Sequence, residues 1–262
     1  EGAWCAATLD EGNAAPGLLI VSGGNEIRSG AHAGQAAMAA HFAGLGYPVF
    51  RYDRRGIGDS EGENGGFEAS AADISAAVAA FRAEAPHVTR IIAFGNCDAA
   101  TSLAFFHAGL GIDRLLLANP WVIEASGQTA DEPTPPSAAA VRARYWARLK
   151  NPRSLLDLLT GKIDLRKLAR GLKTAATNDA PSQLAARLAH ALGQSTTPAT
   201  ILIAERDSTA LAFLSAWASA DFAAVRSRPD IHLERIDSAS HSFADAASSA
   251  WLRQQIAAAL NS

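Results

Sequence analysis

Residues 91–101 read IIAFGNCDAAT, an apolar run that stops at a glycine and continues into an alanine-rich segment through a cysteine. The pattern predicts a buried strand, a sharp turn and a helix, with Cys97 at the turn. Gly95 and Ala99 stand two residues before and after the cysteine, and both are small. This is the spacing of a nucleophile elbow, G-x-nucleophile-x-small, in which the tight turn presents the middle side chain above the following helix. The alternative is a buried cysteine that only packs in a strand-to-helix turn.

Further along the chain in both directions, strand-like and helix-like segments alternate. Strands are predicted at WCAATLD, GLLIVSGG, YPVFRYD, VTRIIAFG, IDRLLLANP, ATILIAERD and IHLERID. Helices are predicted at residues 32–45 and 69–83, at DAATSLAFFHAG and in the terminal segment FADAASSAWLRQQIAAAL. Strands that alternate with helices predict an α/β fold with a mostly parallel central sheet and helices on both faces.

The stretch 121–197 interrupts this alternation. It contains a proline-rich loop, DEPTPPSAAA, followed by helical segments rich in arginine, lysine and leucine. We predict a core formed by residues 1–120 and 198–262, with residues 121–197 inserted as a helical cap over the carboxyl edge of the sheet. The alternative is a plain pair of packing helices.

The composition excludes several classes of function. Of 262 residues, 48% are hydrophobic and 19% charged, and the net charge of −3 gives no electrostatic reason to expect nucleic acid. No apolar stretch is long enough to span a bilayer. The two cysteines, Cys5 and Cys97, have no metal-ligand spacing, so neither a metal nor a cofactor is predicted. We expect a cytoplasmic protein, although a sequence that starts at Glu1 could have lost a targeting segment.

Two later residues have the properties of partners for a nucleophile at Cys97. In proteins with this elbow, the nucleophile, the acid and the histidine follow in that order along the chain. Asp207 ends the predicted strand ATILIAERD, and His241 follows the last predicted strand. A histidine would take the proton of the thiol, and an aspartate would orient the imidazole. Alternatively, His241 is a surface histidine and Asp207 a helix cap, with Asp237 as a rival acid.

Backbone N–H groups are the predicted oxyanion donors. The N–H of Asp98 directly follows the nucleophile position. A second donor should come from the loop after an early strand, and in IVSGGNEIRSG the two glycines allow a close backbone approach that would point the N–H of Asn25 inward. A simple glycine turn is the alternative. Arg28 and His32 follow in the same loop and could line a pocket or face solvent.

Taken together, these motifs resemble the α/β-hydrolase superfamily. The segments VSGGNEIRSGAH, RYDRRGIGDSEG, FGNCDAAT and NPWVIEA, with RYWARL and LLTGK, are similar to the exosortase A system-associated hydrolases of type 1. That resemblance implies an α/β-hydrolase fold, a cysteine at the elbow and a link to bacterial exopolysaccharide and exosortase systems. The sequence departs from the usual superfamily pattern in having Ala99 for the second elbow glycine and GG for HG. The Cys, Asp and His set also resembles dienelactone hydrolase, a branch that the cap-like segment and NPWV disfavour.

The expected function is hydrolysis of a small-molecule carboxylic ester, thioester or lactone through a triad of Cys97, His241 and Asp207 and an acyl-enzyme. Acyl transfer with the same residues is an alternative, and so is a non-catalytic binding protein that kept the fold. The sequence makes no prediction of the oligomeric state.

Overall fold

The computed structural model describes residues 2–124 and 182–262, and its centre is a seven-stranded sheet. The strands are β1 (Ala7–Asp10), β2 (Pro16–Val21), β3 (Val49–Tyr52), β4 (Arg90–Asn96), β5 (Arg114–Ala118), β6 (Ala199–Ala204) and β7 (Ile231–Ile236). Their order across the sheet is β1-β3-β2-β4-β5-β6-β7. β1 runs antiparallel to β3, and every other pair is parallel.

Helices connect the parallel strands. They are α1 (Gly34–Gly44), α2 (Ala71–Glu84), α3 (Asp98–Phe106), α4 (Gln183–Gln194), α5 (Ser208–Trp217), α6 (Ala223–Arg226) and α7 (Ala246–Asn261), with short 3-10 helices at Ala31–Ala33 and Phe67–Ala69. Side-chain caps begin three of them. Ser182, Asp207 and Asp245 each accept a hydrogen bond from a backbone N–H in the first turn of α4, α5 and α7, which satisfies a donor that the helix itself leaves free.

The sheet is buried on both faces, which explains the nearly continuous apolar runs of its central strands. On one face, side chains of α2, α3, α4 and α5 pack against alternate strand residues, including Leu19, Ile91 and Leu115. On the other face α1 and α7 cover the remaining alternate residues, including Ile20 and Ile92. The predicted α/β fold with a mostly parallel sheet and helices on both faces is confirmed.

The strand order reverses between β2 and β4. From β2 the chain goes outward to β3, and it then returns across β2 to continue with β4, β5, β6 and β7. Ligands of open α/β sheets bind in the crevice outside the carboxyl ends of the strands at such a reversal. Here Val21 at the end of β2 pairs with Gly95 of β4, so the loop after β2 and Cys97 lie side by side.

The two ends of the predicted insertion 121–197, residues 121–124 and 182–197, are described. Helix α4 lies within the second of them and packs in the core, where Ala185, Leu188 and Leu192 are buried. The rest of the segment, residues 125–181, is outside the described residues, so the division into core and cap stays a prediction. None of the helices in residues 2–124 and 182–262 combines the length and apolar character that a membrane crossing requires.

Candidate active site

Cys97 stands on a strained turn between β4 and α3. Its backbone angles are φ 62° and ψ −126°, a conformation rarely adopted by residues other than glycine. Such a residue costs on the order of 1–3 kcal/mol and persists only where its surroundings enforce it. The Cys97 N–H donates to the carbonyl of Ala118 at 2.9 Å, and its carbonyl accepts from the N–H of Trp121 at 3.2 Å. These bonds to the neighbouring strand end hold the turn in place.

The turn is sterically feasible only because small residues flank it. A Cβ atom on Gly95 would lie 2.8 Å from the backbone carbon of Ala99 and 2.9 Å from the backbone nitrogen of Ala100. Both are backbone atoms of the first turn of α3, which cannot move without displacing the helix. The sequence pattern around Cys97 therefore has a direct structural cause.

Asp207 and His241 lie together at the carboxyl edge of the sheet. Asp207 follows β6 and caps α5, and His241 is in the loop between β7 and α7. The imidazole Nδ1 lies 3.0 Å from the Oδ2 oxygen of Asp207. The Asp207 side chain is almost fully buried, whereas that of His241 is 38% exposed. An aspartate that contacts Nδ1 leaves Nε2 as the nitrogen free for chemistry.

The surroundings of His241 favour its charged form. Its pKa is raised to about 10, first by the hydrogen bond to the Asp207 carboxylate and next by the interaction with the Cys97 side chain, against the opposing effect of burial. Both of these residues thus favour the protonated ring, and the carboxylate has the larger effect. An imidazolium at neutral pH is the partner that a thiolate requires, whereas a serine hydroxyl requires a neutral imidazole as base.

Two asparagines hold the loop that carries His241. Asn96 and Asn119 each donate a side-chain N–H to the backbone carbonyl of His241, both at 3.1 Å. Asn119 is fully buried, has φ 41°, and accepts from the N–H of Ala204 with its side-chain oxygen. The carboxyl ends of β4, β5 and β6 thus jointly set the position of the imidazole.

The loop after β2 lies directly on the elbow. The N–H of Gly24 donates to the Asp98 carboxylate at 2.7 Å. A Cβ on Gly23 would lie 2.6 Å from the carbonyl oxygen of Asn96 and 2.8 Å from Oδ1 of Asp98, so glycine permits this close approach. Within the described part of the chain, the backbone N–H groups of Asn25 and Asp98 have no hydrogen-bond acceptor. Both predicted oxyanion donors are therefore free of other partners there.

Two charged residues after β3 also hold this loop. The buried Asp53 accepts hydrogen bonds from the backbone N–H groups of Arg28 and Asp59 and pairs with the Arg28 side chain. Arg28, predicted either to line a pocket or to face solvent, is thus an anchor of the loop. Arg54, also buried, donates to the carbonyl of Gly24.

The remaining predicted candidates have other surroundings. The rival acid, Asp237, is 79% exposed and pairs with Arg206 at 2.7 Å. His32 lines a cavity of about 170 Å³ between the loop after β2, α1 and α7, together with Asn96 and Ser242, the sequence neighbours of Cys97 and His241. Across residues 2–124 and 182–262, no group of three His, Cys, Asp or Glu side chains is arranged to hold a metal ion.

Sequence analysis gave no role to three residues that organise the site: Arg54, Asn96 and Asn119. Asn96 ends β4 and Asn119 directly follows β5, and Arg54 stands two residues after β3. That position was a usable signal, because a polar side chain at the carboxyl edge of a parallel sheet lies beside the ligand crevice.

Comparison with known proteins agrees with this architecture. The sequence profile of the Hydrolase_4 family, described as serine aminopeptidase, S33, matches residues 16–245. No curated protein sequence matches the chain. The esterase EaEST from Exiguobacterium antarcticum superposes with a TM-score of 0.61 at 14% identity, over 100% of this chain and 97% of that one. Est1E from Butyrivibrio proteoclasticus, solved with ferulic acid bound, superposes with a TM-score of 0.60 at 17% identity, over 98% and 97%.

A third similar structure is the Pyrococcus furiosus esterase Pf2001, with a TM-score of 0.59 at 14% identity. The superposition covers 99% of this chain and 85% of that one. At such identities these structures establish the α/β-hydrolase fold alone. The family match covers most of the chain. The family description names serine, whereas the residue at the elbow of this chain is Cys97. The chain has the α/β-hydrolase fold and belongs to the Hydrolase_4 family.

Proposed function

We propose that the protein is a cysteine-dependent hydrolase of small carboxylic esters or thioesters that acts through an acyl-enzyme. One observation carries the proposal: Nδ1 of His241 lies 3.0 Å from the Asp207 carboxylate, and the backbone carbonyl of His241 is bound by Asn96, the residue directly before Cys97. Cys97, Asp207 and His241 come from loops that are far apart in sequence. Acyl transfer requires a nucleophile, a base and an acid from such separate segments to lie close together.

In the first half of the reaction, the Cys97 thiolate attacks the acyl carbon and the carbonyl oxygen becomes an oxyanion. The N–H groups of Asn25 and Asp98 hold that charge. The intermediate collapses, the bond to the leaving alcohol or thiol breaks, and His241 gives the leaving group its proton from Nε2. The product of this half is a thioester on Cys97.

In the second half, His241 takes a proton from water as the water oxygen attacks the thioester carbon. Collapse of the second intermediate releases the carboxylic acid and restores the thiolate beside the imidazolium. Asp207 accepts the Nδ1 hydrogen bond throughout and so keeps Nε2 directed at the reacting atoms.

The substrate class follows from the nucleophile. A thiolate is a good attacking group and also a good leaving group, which favours activated esters, lactones and thioesters over peptide bonds. The quoted motifs resemble exosortase A system-associated hydrolases of type 1, and we extend the proposal to that type, with a substrate linked to bacterial exopolysaccharide production. The proposal also retains acyl transfer to an alcohol acceptor as an alternative outcome of the experiment.

The test is intact-mass spectrometry after treatment with p-nitrophenyl acetate. The wild type and Cys5→Ala should each gain one acetyl group, and Cys97→Ala should gain none. Cys5 is a matched control because it is the other free cysteine, half-buried, and burial raises its pKa. An acetyl group on Cys97→Ala would refute the assignment of the nucleophile, and an unreactive wild type would favour a binding protein. Products formed with a competing alcohol distinguish hydrolysis from transfer.

A further inference from the structure

We infer that Arg54 and Asp98 are positioning residues that orient the peptide between Gly24 and Asn25, so that its N–H serves as an oxyanion donor. The inference rests on the proposed function and gives two side chains that hold the loop after β2 a part in the proposed reaction. Asp98 enters here through its carboxylate, in addition to the backbone N–H already assigned to it.

The argument begins with the geometry of one peptide. The carbonyl of Gly24 and the N–H of Asn25 belong to the same planar trans unit, in which the two bonds point in opposite directions. Arg54 donates from Nη2 to the carbonyl of Gly24. A guanidinium fixed on that oxygen therefore fixes the direction of the Asn25 N–H on the other side of the plane.

The Asp98 carboxylate holds the preceding group of the same loop. Its Oδ1 accepts the N–H of Gly24 at 2.7 Å, and its Oδ2 lies 3.8 Å from Nη2 of Arg54. Both polar backbone groups of Gly24 are thus bound by a pair of opposite charges. Gly24 has φ 55° and no atoms within 4 Å of where a Cβ would stand, so side-chain packing does not fix this residue. Besides the turn hydrogen bond from the Glu26 N–H to the Gly23 carbonyl, at 3.0 Å, the contacts that orient it are those of Arg54 and Asp98.

The burial of the Arg54 guanidinium lowers the stability of the fold. Its side chain is only 5% exposed, and within the described residues its Nη1 atom is buried without a hydrogen-bond partner. A buried guanidinium with an unsatisfied nitrogen destabilises a fold unless its other contacts compensate. Within the described residues, the polar contacts of its side chain are to Gly24 and Asp98, both at the proposed oxyanion site.

The test separates steps that form an oxyanion from steps that do not. Acylation of Cys97 by p-nitrophenyl acetate forms one, whereas its alkylation by iodoacetamide is a displacement at a saturated carbon and forms none. The first pair of variants is Asp98→Asn and Asp98→Ala. Both remove the charge beside Cys97, and only the asparagine keeps an oxygen that can accept the Gly24 N–H.

We expect acylation of Asp98→Ala to be slower than that of Asp98→Asn by about 10- to 100-fold, where the upper value approaches the effect of removing one oxyanion donor. The alkylation rates of the two variants should agree within about threefold. The second pair is Arg54→Lys and Arg54→Met, which have similar length and differ in the ability to donate. The acylation rate should again fall more in the methionine variant than in the lysine variant, and the alkylation rates of the two should stay similar. Circular dichroism checks that both variants fold.

Equal acylation of the two Asp98 variants, or a parallel fall of acylation and alkylation in both pairs, would overturn the inference and leave the proposed function intact. A wild type that is not acylated at Cys97 would instead overturn the proposed function, and the inference with it.

Discussion

A single oxygen of Asp207 supports both His241 and the helix that follows β6. Oδ2 lies 3.0 Å from the imidazole Nδ1 and also accepts the N–H of Ala210 at 3.0 Å, in the first turn of α5. The helix therefore fixes the carboxylate, and the carboxylate fixes the ring. Because one atom serves structure and the proposed chemistry together, substitutions at this position can separate the two contributions.

Asp207→Asn should keep the fold and lose most of the activity. The amide oxygen can still cap α5 and accept from Nδ1, but a neutral amide does not stabilise the imidazolium as a carboxylate does. We expect ester hydrolysis to fall by about 10²- to 10⁴-fold, with the larger value being that of the corresponding change in serine proteases. Initial rates with p-nitrophenyl acetate measure the loss.

Asp207→Ala is the control for the capping role. It removes the acceptor for Ala210 as well, and we expect it to lower the free energy of unfolding by about 1 kcal/mol relative to the asparagine variant. Urea unfolding of both proteins measures this difference. Near wild-type hydrolysis by Asp207→Asn would show that the carboxylate does not act on the histidine.

The raised pKa of His241 predicts how stability depends on pH. The folded protein favours the protonated ring, so the stabilisation is fully present below the ordinary value of 6.5 and is lost as the pH rises through about 10. The unfolding free energy of the wild type should therefore decline over this window relative to His241→Gln. Urea titrations at about pH 6, pH 8 and pH 10 measure the decline.

Cys97→Ala provides an internal comparison for the same titration. It removes one of the two interactions that raise the pKa of His241 and leaves the larger one, the hydrogen bond to Asp207. Its decline should be smaller than that of the wild type and larger than that of His241→Gln. A wild-type curve parallel to that of His241→Gln would mean that the fold does not favour the imidazolium.

Local patterns were sufficient to predict the elements that position the site. The apolar run before Gly95, and the small residues around Cys97, predict the strand, turn and helix that the structure has at β4 and α3. The order of the nucleophile, aspartate and histidine along the chain also led to the pair that the structure brings together, Asp207 and His241. These features depend on neighbours in sequence or on the general order of one fold.

The supporting contacts depend on tertiary approach, which sequence spacing does not encode. Asn96 and Asn119 meet at the carbonyl of His241 only because β4 and β5 are adjacent and end at the same edge. Arg54 reaches Gly24 across the end of β2. Helix α5, with the sequence STALAFLSAW, was also missed.

Gly95→Ala should destabilise the fold, since the added methyl group meets backbone atoms of α3. Overpacking of this kind costs about 1–3 kcal/mol. The matched control is Gly44→Ala in α1, where a Cβ meets nothing within 4 Å and where alanine should stabilise the helix by up to about 1 kcal/mol. Thermal unfolding of the two variants should shift in opposite directions, and equal shifts would mean that α3 can move away from the elbow.

The contact between the buried His107 and the half-buried Ser195 predicts a stability effect remote from the proposed chemistry. Nδ1 of His107 donates to the carbonyl of Leu103, so Nε2 must accept from the Ser195 hydroxyl, at 2.7 Å. Ser195→Ala leaves this buried nitrogen without a donor, and the free energy of unfolding should fall by about 1–3 kcal/mol. The exposed Ser215 of α5 is the control, since its change to alanine should have an effect within about 0.5 kcal/mol. Urea unfolding near neutral pH measures both, and equal stability of the two variants would show that water replaces the lost hydroxyl.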